Sequence, residues 1–176
     1  MQLNTTKYHI SIRTLHWLMA AVIICLIAVG LIMGEIPRED PMRGTMYSLH
    51  KSFGVFVFFL VILRVFFRFR YQVPALPNVI PEIERKLAKS GHYIFYFFMF
   101  AMPLSGYLTS NYFGFGVNFF GITLPKIVGI DKELGSFFAE SHETLAYILI
   151  LLIFLHIGGV IKHYIKDKTN LLTRMR

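Results

Sequence analysis

The chain has 176 residues, 55% of them hydrophobic and 16% aromatic, and a formal net charge of +8. Its mean hydropathy of +0.56 is too high for an ordinary soluble domain and points to a protein dissolved in lipid. The only cysteine, Cys25, excludes disulfides within the chain, zinc ribbons and thiolate-held clusters.

Four segments reach the roughly twenty mostly apolar residues needed to cross hydrocarbon. They lie near 12–34, 47–68, 91–111 and 140–164. The short alternating segments of a membrane β-barrel do not occur. The expected fold is therefore an all-α membrane protein, a bundle of four transmembrane helices forming one unit over residues 1–176. The first span carries His16 and Trp17 near its start and exits at Pro37. It is too long for a signal peptide and has no small-residue cleavage site, so it is read as a mature helix. Trp17 stands at the depth of an interfacial anchor, and His9, in the polar lead-in, is expected in solvent.

The second span opens on His50 and Lys51, with Gly54 one turn below His50 on the same face. A glycine there either clears room for a flat group or packs helix against helix. Arg64 and Arg68 lie toward the other end, placed to snorkel to headgroups or, for the deeper Arg64, to pair with the carboxylates of a cofactor. Three prolines and a basic amphipathic stretch, residues 71–90, read as a loop with a short interfacial helix. The third span begins near His92, and Pro103 is expected to kink it. Residues 112–139 are broken by glycines and a proline and read as a surface cap. The fourth span carries His142, His156 and His163.

Thirteen of the eighteen Lys and Arg residues fall in the lead-in, the loop after the second span and the segment after the fourth. By the positive-inside rule both termini and that loop face the cytoplasm. The remaining five, Arg38, Arg43, Lys51, Lys126 and Lys132, share their side with six carboxylates, Glu35, Glu39, Asp40, Asp131, Glu133 and Glu140. The excess positive charge is thus a topology signal and a contact for membrane lipid, and no nucleic-acid partner is expected.

Six of the seven histidines lie in or beside spans. Fourteen residues separate His142 from His156, which keeps the two rings on nearly one helix face about 21 Å apart; His163 continues the same side. Sorted by depth, His50 and His142 form an outer layer, while His16, His92, His156 and His163 lie inward. Imidazoles at membrane depth mark sites. Structural zinc needs four ligands at one point, and copper favours cysteine or methionine beside histidine. Facing imidazoles suit the two axial positions of haem, and with no CxxCH motif the haem is non-covalent haem b. His50 pairs with His142; His156 pairs with His16 or His92, which spacing alone leaves open.

The chain resembles the bacterial cytochrome b561 family of small four-helix di-haem membrane cytochromes. The resemblance rests on LHW at 15–17, HKSFGV at 50–55, Arg64 with Arg68, GHYIFY at 91–96, AMPLSG at 101–106, HETLAY at 142–147 and KHYIKDKTNLLTRM at 162–175. It implies two haem b groups with bis-histidine ligation, His50 with His142 outside and His16 with His156 inside. It places His92 and His163 near the inner haem, in contact with quinone or haem propionates. It further implies a multi-pass protein of the bacterial inner membrane that oxidises superoxide at the outer side and reduces ubiquinone. On that reading Lys51 or Arg43 attracts the anionic donor, and His92 or His163 hydrogen-bonds quinone or shuttles its protons. The alternative is a cytochrome b anchor subunit that relays electrons between a peripheral redox partner subunit and quinone.

Overall fold

The computed structural model describes residues 7–77 and 79–176. Four long helices follow in order: α1 (Ile10–Met33), α2 (Pro41–Arg70), α3 (Glu82–Tyr112) and α4 (Lys132–Ile165). A two-stranded hairpin, β1 (Asn118–Phe119) and β2 (Ile122–Thr123), lies between α3 and α4, and a 3-10 helix (Leu171–Met175) follows α4. Because α1 and α3 run opposite to α2 and α4, the hairpin marks one end of the bundle. Residues 7–9 and the 3-10 helix meet at the other, the terminal end.

Three of the four long helices, α1, α2 and α4, start where the sequence supplies a side-chain acceptor for free N–H groups, while α3 begins after Pro81 without one. Asp40 accepts from Met42 N at 2.8 Å, with Pro41 at the first helical position. Asp131 accepts from Glu133 N and Leu134 N, both at 3.0 Å. His9 caps α1 through Nδ1, which accepts from Ser11 N at 3.3 Å, and its ring stacks on Tyr71 at 3.6 Å. His9 is thus engaged at both its edge and its face, although it remains exposed.

Three helices are longer than the hydropathy pattern suggests, and α2 begins on its Asp40 cap at Pro41 rather than near 47. The basic stretch expected to form a separate interfacial helix is the beginning of α3, which runs unbroken from Glu82 through Pro103. Glu, Arg, Lys, Leu and Ala are strong helix formers, and nothing between Arg85 and His92 stops propagation. α4 likewise starts at Lys132 rather than near 140, because the Asp131 cap nucleates eight residues earlier. At 34 residues it is about 51 Å long, well beyond the ~30 Å hydrocarbon layer.

α1, α2 and α4 are long and apolar enough to cross a membrane; α3, the expected third span, has the length but not the hydropathy. The reason lies in which way its polar groups face. Its buried residues are Ser105, Ser110 and Asn111, so α3 turns hydroxyls and an amide inward while Tyr93, Ile94, Phe97 and Leu104 stand exposed. A composition average cannot tell an inward polar stripe from an outward one.

The main seams join α1 to α2, α2 to α3 and, most extensively, α3 to α4; no comparable seam joins α1 to α4. The apolar core is small: Leu15, Met19, Val57, Leu60 and Val61, flanked by residues such as Phe56, Tyr96 and Phe100. α4 adds only Gly135 and Leu149 to the buried set. Leu149 stands seven residues from both His142 and His156, so His142, Leu149, His156 and His163 form one stripe with a seven-residue step.

The expected cap takes the form of the hairpin lying along α2. Phe120 and Gly121 turn it with φ of 46° and 94°, the paired positive values of the tight hairpin turn that suits right-twisted strands. Ser52 fastens it: its Oγ donates to Asn118 O at 2.9 Å and accepts from Phe120 N at 3.2 Å. At the terminal end Arg174 is buried, donating to Ala75 O at 2.9 Å and to Pro74 O. Trp17 Nε1 donates to Met175 O at 2.8 Å, and Tyr8 N to Arg174 O at 3.1 Å.

Candidate functional site

The α4 stripe faces a histidine from a different helix at each of two levels. At the hairpin end the rings of His50 on α2 and His142 on α4 have centroids 6.2 Å apart with planes at 76°. Toward the terminal end His16 on α1 and His156 on α4 stand 6.3 Å apart at 66°. Spacing could not choose between His16 and His92 as the partner of His156; the ring that faces it is His16.

The hairpin-end pair is closely held. His142 Nδ1 lies 2.9 Å from Met102 O and 3.0 Å from Ser105 Oγ, and Ser105 Oγ itself donates to Met102 O at 2.8 Å. A ring whose Nδ1–H is given to a carbonyl keeps Nε2 as its free lone pair. Two glycines on other helices let the rings approach. A Cβ at Gly106 would stand 3.0 Å from His142 Cε1, and one at Gly30 would stand 3.3 Å from His50 Cε1. Neither glycine stands out in sequence as a site residue, since each lies on a helix other than that of the ring it touches. Gly54, singled out because it follows His50 by one turn, has no protein atom within 4 Å of where its Cβ would be. No other helix packs closely there.

The terminal-end pair is set differently. His16 lies 5.2 Å from Trp17 and His156 lies 5.4 Å from Phe95, both edge-on. Arg64 donates to Ile12 O at 3.2 Å and lies close enough to His16 and His156 to act on both by charge. His92 also neighbours both rings, with the Arg68 and Arg64 guanidiniums nearby. Arg68 lies over the Tyr8 ring at 5.5 Å. No ring hydrogen bond comparable to that of His142 holds His16 or His156 among the described residues.

His163 meets carboxylates rather than another imidazole. Its Nδ1 is 2.6 Å from Asp167 Oδ2 and its Nε2 is 3.6 Å from Glu84 Oε2, and Lys162 Nζ bridges the same two carboxylates. The hydrogen bond from His163, and then that from Lys162, hold the Asp167 carboxyl below the usual carboxylate range. Glu84 lies in none of the quoted motifs, and Asp167, inside the one at 162–175, carries no role there; the packing of α3 on α4 brings the two together. Lys51, next to His50 in sequence, points to the cap: its Nζ donates to Gly116 O at 3.4 Å and lies over the Phe115 ring at 5.6 Å. Arg43 donates to Gly34 O and Ile36 O.

Fold and site define a class first: a helical membrane protein whose interior sets imidazoles face to face at two depths. The description "prokaryotic cytochrome b561" matches residues 7–176, and the chain belongs to that family. It is 30% identical to cytochrome b561 homolog 2 of Escherichia coli (strain K12) over 171 residues, 96% of this chain and 90% of the relative. Against cytochrome b561 homolog 1 of the same organism it is 29% identical over 161 residues, 92% of each chain. The probable superoxide oxidase CybB of Yersinia pestis is 27% identical over 162 residues, 92% of this chain and 90% of the relative. Members of the family bind b-type haem and carry electrons in the membrane.

The residues present fit such a group. Two imidazoles sharing one metal, each at about 2 Å, have ring centres about 6 Å apart; the observed separations are 6.2 and 6.3 Å. Nδ1 of His50 is buried without a protein partner, so the ring is held by packing rather than by a hydrogen bond of the kind that holds His142.

Proposed function

We propose that this protein is a di-haem b electron carrier of the bacterial inner membrane that takes electrons from superoxide at the hairpin end and delivers them to ubiquinone at the terminal end. His50 with His142, and His16 with His156, are the residues that would hold the two haems. The observation that carries this reading is the pair of facing imidazoles, 6.2 and 6.3 Å apart, on one α4 stripe. Haem held there would supply one-electron transfer.

The chain's own residues do the rest. Met102 O and Ser105 hold His142 in one tautomer, which fixes the nitrogen offered to iron. Leu149 fills the stripe between the two levels. Arg64 places a positive charge beside the terminal-end pair, which favours the reduced state of a group bound there. Lys51 and Arg43 are tied to backbone carbonyls and so keep their charge at the end where an anionic donor arrives. His92 and His163 stand at the end where a quinone needs protons. The basic loops at the terminal end support a cytoplasmic position for it, and the name of the Yersinia pestis relative supports superoxide as donor.

The test uses the purified protein alone. Pyridine haemochrome assay is expected to give two b haems per chain, and superoxide is expected to reduce added ubiquinone with release of oxygen. A colourless protein, or haem protein that leaves ubiquinone oxidised, would overturn the reading.

A further inference from the structure

Beyond His156 the stripe continues one seven-residue step to His163, about 10 Å further along the axis. Between them Gly159 lies within about 60° of the same face, and no protein atom comes within 4 Å of where its Cβ would stand. The stripe therefore has a smooth, open stretch bounded by an imidazole at each end.

His163 is the inner member of a charged chain that reaches solvent. Side-chain exposure rises from 13% at His163 and 16% at Asp167 to 30% at Glu84 and 36% at Lys162. The turn that folds Asp167 back onto the ring is held by Thr169, whose N–H donates to His163 O at 3.0 Å and whose Oγ1 donates to Asp167 O at 3.0 Å. Glu84, His163 and Asp167 each present a donor atom within 4.8 Å of the others. A metal cation is nonetheless a poor occupant, because the Lys162 ammonium already lies against both carboxylates. Two carboxylates and one ammonium leave one negative charge, which a single proton on His163 neutralises.

We propose that Glu84, Lys162, Asp167 and His163 form the proton entrance for quinone reduction, with the quinone ring lying over Gly159 between His156 and His163. The inference rests on the reading that quinone is the acceptor at this end. Two superoxide anions lose one electron each and leave as two O2. The quinone gains those two electrons, and each of its carbonyl oxygens forms an O–H bond, so two protons must enter. His163 gives its Nε2 proton to the quinone oxygen that faces it, and solvent water protonates the far oxygen; the Nδ1 proton stays on the ring, donated to Asp167, which holds that tautomer. Glu84 lies 3.6 Å from Nε2, just past direct hydrogen-bond length, and reprotonates it from solvent by a small side-chain shift. Lys162 lies against both carboxylates and holds them in place beside the ring.

The experiment compares two acceptors for the dithionite-reduced holoprotein: a water-soluble ubiquinone analogue, which needs protons, and ferricyanide, which does not. Asp167→Asn and Glu84→Gln are each expected to slow quinone reduction by about 10- to 100-fold at about pH 8, and much less at about pH 6. Ferricyanide reduction, the Soret band and haem content should stay unchanged. His163→Ala should lose quinone reduction and regain part of it with added imidazole. Equal slowing with both acceptors would make the cluster a structural clamp and overturn the inference, as would wild-type quinone rates in all three variants. Failure of the wild-type protein to reduce quinone would instead overturn the functional reading itself.

Discussion

The two histidine levels share one geometry and differ in how it is enforced. At the hairpin end, hydrogen bonds and close glycines lock the rings: Met102 O and Ser105 hold His142, while Gly106 and Gly30 leave no room beside the two imidazoles. At the terminal end the rings are bounded by aromatic edges and faced by charge, with Arg64 beside both and Trp17 tied to the chain's last turn. A locked ring tunes its metal through tautomer and basicity; a ring beside a fixed charge tunes it through the field. On the proposed di-haem reading, one fold thus offers two separate means of setting two potentials.

Four changes break or sharpen that contrast. On the proposed di-haem reading His142→Ala removes one of the haem-holding imidazoles, and bound haem should fall to about half by pyridine haemochrome assay while the terminal-end haem keeps its spectrum. Gly106→Val drives a branched side chain into a ring already 3.0 Å from a bare Cβ. Overpacking of about 1–3 kcal/mol should loosen the hairpin-end haem alone, seen as faster loss to apomyoglobin. Arg64→Gln removes the charge, and a redox titration should show the terminal-end midpoint falling by about 30–60 mV, where about 59 mV is tenfold for one electron, with the other unmoved. The smallest effect concerns acid stability at the base of the bundle. The Asp167 carboxyl is held below its unfolded value of about 4 by His163 first and Lys162 second. Its contribution is therefore present above about pH 4 and is lost as pH falls through the folded value. Wild type and Asp167→Asn should differ in Tm near pH 7 and converge below about pH 3.

Much of this was legible from spacing. Four apolar runs gave the helices, and the fourteen-residue step from His142 to His156 gave the two levels, because both are periodic along one chain segment. What escaped were contacts between helices. Gly54 drew attention as the neighbour of His50 along α2, yet the glycines against the rings are Gly30 and Gly106, on α1 and α3. The partner of His142 Nδ1 is a backbone carbonyl, which no side-chain pattern announces. Arg174 counted as one more basic residue of the terminal end, yet it is buried among the carbonyls of residues 74 and 75. The starts of α3 and α4 were missed because hydropathy marks where a helix enters lipid, not where its hydrogen bonding begins. The polar stripe of α3 was averaged away for the same reason.

The seven-residue stripe makes α4 a common ruler. His50, His16 and Glu84 come from three other helices, yet each meets a rung of this single rod. A slip of α4 by one residue would advance it by about 1.5 Å and rotate it by about 100°, which would misalign all three meetings together. Assembly is thereby all-or-none in its alignment: the bundle cannot be correctly threaded at one depth and wrongly at another.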